Sequence, residues 1–133
     1  MTEYRTTRDV AALAEVVYNT AGDLERLDRW LPAGVTAEHL EDGTVQLRWR
    51  IDDRQGQARL AVSRDADRLR MECRAEQPQG AGGWLEVGQA GAGAARVEVC
   101  VQAPGGAQDV MRALVDDALT GLQREVGENF TVS

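Results

Sequence analysis

Apolar positions in this chain change their period twice. Val10, Leu13, Ala14 and Val17 follow the i, i+3, i+4, i+7 spacing of a helix, with Glu15 and Asn19 off that face. From Val35 to Ala103 apolar and polar residues alternate in short runs, and from Val110 to Val126 the helical period returns. Glu3–Thr7 reads as a short opening strand, with Asp9 as the N-cap of a helix that Gly22 ends. Asp23 then caps a second short helix, which carries Leu24, Leu27 and Leu31 on one face, pairs Glu25 with Arg29, and stops at Pro32 and Gly34.

The middle of the chain reads as a meander of six strands. Turn signals fall at Asp42–Gly43, Asp52–Gly56, Asp65–Asp67, Pro78–Gly83 and Gly88–Gly93. Alternation assigns the faces. Val45, Leu47, Trp49 and Ile51 oppose Gln46, Arg48 and Arg50, while Leu69, Met71, Cys73 and Ala75 oppose Arg68, Arg70, Glu72 and Arg74. Val97, Val99, Val101 and Ala103 oppose Arg96, Glu98 and Gln102. In the sixth strand of the chain Leu85 and Val87 point inward, which leaves Trp84 and Glu86 outside.

A sheet with one oily face must cover it, and the terminal helix is the element able to do so. Its span is expected to be Gln108–Val126, with Asp109 at the positive end and Gly127 as a left-handed cap onto which Phe130 folds back. Val110, Met111, Leu114, Val115, Ala118, Leu119, Leu122 and Val126 cover about half of its circumference, wider than an ordinary surface stripe. Gly121 lies beside that arc, where close backbone packing explains a residue of low helix propensity. The expected order is β-α-α-β6-α: an α+β fold with a curved seven-stranded antiparallel sheet around a long C-terminal helix.

Composition narrows the function. A chain of 133 residues suits one domain, 1–133, and 22 acidic against 15 basic residues give a net charge of -7, unsuited to binding nucleic acid. The basic residues are all arginine, which points to a GC-rich genome. Neither a signal peptide nor an 18-residue apolar span is evident, so a cytoplasmic protein without membrane insertion is expected. Cys73 and Cys100 lack metal spacing and are expected to be reduced thiols, and one histidine supplies too few ligands for a structural metal. The sequence also lacks a phosphate loop, a nucleophile elbow and a dinucleotide fingerprint, so no cofactor is expected.

The element order, together with Asp23–Pro32 and its Leu27, Trp30, Leu31 and Pro32, resembles the START-like helix-grip superfamily, in particular bacterial polyketide cyclase/dehydrase and lipid-transport (SRPBCC-type) proteins. The resemblance implies a cavity between sheet and last helix that takes a hydrophobic small molecule. It places the mouth near Asp52–Gly56, Pro78–Gly83 and Ala103–Gln108, whose glycines equally serve as plain turns. The fold hosts carriers, cyclases and co-chaperone domains, so residues must argue the function.

Leu47, Trp49, Leu69, Met71, Val99, Met111, Val115 and Leu119 form the expected ligand wall, each of them also suited to plain core packing. His39, Tyr18 and Glu86 are the catalytic candidates: a histidine on the face of Val35 and Ala37, a phenol on the first helix, and an acid that is catalytic only if its strand turns inward. Without convergence on one cavity they serve structure. The arginines Arg48, Arg50, Arg59, Arg68, Arg70, Arg74 and Arg96 interleave with Asp52, Glu72, Glu76 and Glu98, which predicts cross-strand ion pairing on a solvated face. The leading expectation is therefore a monomeric or homodimeric binder of a hydrophobic or aromatic small molecule. A polyketide cyclase/dehydratase and a protein-interaction module are the alternatives.

Overall fold

The computed structural model describes residues 2–51, 53–77, 80–105 and 108–131. Seven antiparallel strands form one sheet in the order β1-β7-β6-β5-β4-β3-β2. They are β1 (Thr2–Val10), β2 (Val35–His39), β3 (Val45–Ile51), β4 (Arg54–Asp65), β5 (Arg70–Gln77), β6 (Gly82–Gly91) and β7 (Ala94–Ala103). Between β1 and β2 come helix α1 (Ala14–Ala21) and a short 3-10 helix, Leu24–Arg29, and the chain closes with helix α2 (Gln108–Thr131). The expected order of elements is the observed one.

Register confirms the face assignment. Val99 pairs with Leu85, Leu85 with Met71, Val62 with Cys73, and Val45 with Leu60, so these apolar residues share the concave side. The outer side carries the ion pairs Arg5–Glu98 at 3.0 Å, Arg68–Glu86 at 3.2 Å, Arg70–Glu72 at 2.8 Å and Arg96–Asp9 at 3.1 Å. The core gathers where α1 and α2 meet the β1–β7–β6 side, with Val17, Tyr18, Trp30, Val97, Leu119, Leu122 and Val126 buried.

Several local expectations are corrected. β1 runs through Asp9, which pairs with Arg96 and caps nothing; α1 begins only at Ala14, after Leu13, because β7 offers a strand partner as far as Val10. Asp23 precedes the 3-10 helix without a side-chain cap, and Glu25 and Arg29 do not pair: Glu25 reaches His39 at 2.6 Å and Arg29 reaches Glu125 at 3.4 Å. Tighter 3-10 winding turns i and i+4 away from one another, so both side chains find tertiary partners instead. The 52–56 turn is shorter than expected, since β4 starts at Arg54 and Gly56 is a strand residue opposite Trp49. Gly82, Gly83 and Gly88 likewise lie inside β6. Leu69 sits in the turn before β5 at φ 52°, while its carbonyl accepts from Val87 and its side chain still packs on the core.

Helix α2 continues past Gly127, which adopts no positive φ, to Thr131; 24 residues make a rod of about 36 Å. The side chain of Phe130 lies outside the described residues. The buried stripe of α2 is narrower than its apolar arc: Met111, Val115, Leu119, Leu122 and Val126 are buried, whereas Val110 is exposed. Gly121 carries out the role expected of it, because α2 crosses the backbone of Trp30 there with no room for a methyl group.

Candidate functional site

α2 is fastened along one edge of the sheet. Tyr4 donates its hydroxyl to Asp116 at 3.2 Å, and Arg8 donates to Thr120 at 2.7 Å and Gln123 at 3.2 Å. Gln123 donates to the Asp9 carbonyl at 3.0 Å. These contacts run from β1 to the polar flank of α2, beside the stripe of Met111, Val115 and Leu119.

The eight wall residues divide into two groups by burial. Met71, Met111, Val115 and Leu119 are buried; Leu47, Trp49, Leu69 and Val99 are half-buried. Around the second group Ile51, Leu60, Val62, Cys73 and Val101 are also half-buried on the same concave side. These residues leave part of the inward apolar face exposed. Burial pushes the Cys73 thiol up to about 11, so it stays neutral and is a poor nucleophile at physiological pH.

The three catalytic candidates do not converge. His39 lies on the edge strand β2 with its Nδ1 held by the Glu25 carboxylate, a partner that the sequence reading did not foresee. Tyr18 is buried and donates its hydroxyl to the Arg70 carbonyl at 3.3 Å, at the start of β5. β2 and β5 are three strand spacings apart, about 14 Å. Glu86 lies on the outer side, between Arg68 and Arg70.

The outer side has a feature of its own. Trp84 packs under two guanidinium groups, Arg70 at 4.4 Å and Arg5 at 5.1 Å from the ring centroid, across from the buried Cys100. An open depression of about 880 Å³ adjoins it, bordered by Ser63, Glu72, Arg74 and Gln102 and also by Val62 and Cys73 of the inward-facing set. None of the eight wall residues borders it. A smaller cleft of about 260 Å³ lies between the two helices, bordered by Asn19, Thr20, Arg26, Trp30 and the buried Glu125. Among the described residues no group of three or more His, Cys, Asp or Glu side chains is placed to hold a metal.

At the level of sequence, no family model and no curated protein matches the chain. Solved structures do match in shape. A START superfamily protein from Mycobacterium smegmatis superposes with a TM-score of 0.78 at 17% identity, covering 95% of this chain and 97% of that one. The chain has the START-like helix-grip fold. Two further helix-grip relatives in shape are a protein from Thermus thermophilus, with a TM-score of 0.78 at 22% identity over 96% of this chain and 99% of its own, and the Zhui aromatase/cyclase from a Streptomyces species. The latter gives a TM-score of 0.78 at 16% identity, covering 98% of this chain and 96% of that one. These superpositions show the fold alone and leave the chemistry to this chain's own residues.

Two contacts were not read from the sequence: the close approach of Gly56 to Trp49 and the pairing of Glu25 with His39. Gly56 was within reach: it continues the inward alternation of Ala58, Leu60 and Val62. Glu25 carried no signal, since its partner lies 14 residues away across a fold-dependent contact.

Proposed function

We propose that residues 1–133 act as one unit that binds a hydrophobic or aromatic small molecule between the concave sheet face and α2. The observation that carries this reading is the half-buried apolar group of Leu47, Trp49, Ile51, Leu60 and Val62 on the concave side of the sheet. The binding force is burial of apolar ligand surface, about 25 cal/mol per Å². Shape likeness to a START superfamily protein and to an aromatase/cyclase supports the same ligand class. A cyclase that moves protons through His39, Tyr18 and Glu86 gains no support, because those groups lie apart. A bacterial cytoplasmic setting agrees with two free thiols, and no helix among the described residues is long and apolar enough to cross a membrane.

Binding of an uncharged solvatochromic dye such as Nile red tests the site. Trp49→Ala is expected to weaken binding about tenfold through lost aromatic contact, and Arg48→Ala, on the opposite face, to change it less than about twofold. Equal losses would show that the dye binds elsewhere.

A further inference from the structure

Gly56 has an unusual task for a strand residue. It pairs with Trp49 across β3 and β4, and the indole lies over the space where a side chain would stand: a β-carbon at 56 would sit 2.6 Å from Cε2 and 2.9 Å from Nε1 of Trp49. Contacts that short are not sustained by real methyl groups, so the ring can lie against the sheet only because position 56 is glycine. Glycine in a strand interior weakens it unless a neighbouring backbone, ligand or ring uses the space. Here the ring does. The indole is flanked along β3 by Leu47 and Ile51 and across β2 by Val35, on the concave side of the sheet. All three neighbours are half-buried and uncharged.

We propose that Gly56 is a specificity-determining residue, which acts through Trp49 by laying the indole down as a flat apolar platform for a planar, uncharged ring ligand. The proposal rests on the concave-face binding reading above and adds shape selection to it. A flexible alkyl chain gains little from a flat wall, because it can adapt to either a flat or a ridged surface. A planar ring stacks in full contact only on the flat one.

The test compares two uncharged probes, pyrene and dodecan-1-ol, against the wild-type chain, Gly56→Ala, Trp49→Ala and the double variant, with folding checked by circular dichroism. Wild type is expected to bind both. Gly56→Ala should weaken pyrene about tenfold and dodecan-1-ol less than about threefold, and in the Trp49→Ala background the change at 56 should have no further effect, as required of a residue that acts through another. If Gly56→Ala fails to fold, the selective loss of pyrene in Trp49→Ala carries the same prediction. Equal losses for both probes, or none, would overturn the platform and leave the binding reading intact. Failure of wild type to bind either probe would overturn the binding reading, and the platform with it.

Discussion

A methyl group at position 121 would run into the carbonyl oxygen of Trp30, whereas one at position 127, in the same helix, would meet nothing within 4 Å. The two glycines should therefore respond oppositely to alanine. Gly121→Ala gains up to about 1 kcal/mol of helix propensity but forces two backbones apart, and overpacking of this kind costs about 1–3 kcal/mol. A lower urea midpoint is expected. Gly127→Ala has only the propensity gain, so its midpoint should rise by the equivalent of about 0.5–1 kcal/mol. A rise for Gly121→Ala would mean that α2 does not cross Trp30 closely. Cys73 supplies a pH effect. Its thiol, near 9.0 when free, is raised to about 11 by burial, so the unfolded chain ionises first as pH climbs. The stability tied to this thiol is complete below pH 9 and is lost as pH rises toward 11. Cys73→Ala should flatten the decline of Tm over that window, and an unchanged decline would place the thiol in water.

At the scale of elements, α2 is held by β1 through side chains and by Trp30 through backbone contact. Arg8→Ala removes hydrogen bonds to Thr120 and Gln123, and should cost about 1–2 kcal/mol in urea unfolding. It should also raise hydrogen exchange in α2 more than in β3, where no contact is lost. Uniform exchange would show that β1 does not anchor the helix. Most of this architecture was legible in the sequence because one-sided burial enforces a period of two in strands and near 3.6 in helices. Val45–Ile51 and Ala94–Ala103 sorted themselves by that rule alone. Glycine was the least legible residue. Gly56 and Gly127 looked like turn and cap, yet one lies under the indole of its hairpin partner Trp49 and the other inside a helix that continues to Thr131. Leu69 kept its inward side chain although its backbone left the strand, since the hydrogen bond from Val87 fixes its position. That the eight expected wall residues face inward was legible, but not which of them are buried and which half-buried.

For the whole molecule, a ligand that binds only the folded state must stabilise it. At a free concentration 100 times Kd the gain is about 2.7 kcal/mol, which in a domain of this size raises Tm by several degrees. The proposed ligand should produce that shift without altering the slope of urea unfolding, because the slope follows the protein surface exposed on unfolding. The net charge of -7 keeps long-range attraction for anions weak, so salt should affect ligand binding little. The most direct test of the central claim is native mass spectrometry of the purified protein, with denaturing extraction of whatever it carries and titration with aromatic and alkyl hydrophobes. The account predicts one apolar or aromatic molecule per chain, retained from the host or taken up on titration, and lost in Trp49→Ala. An unliganded mass throughout, with no rise in Tm for any of these compounds, would contradict it.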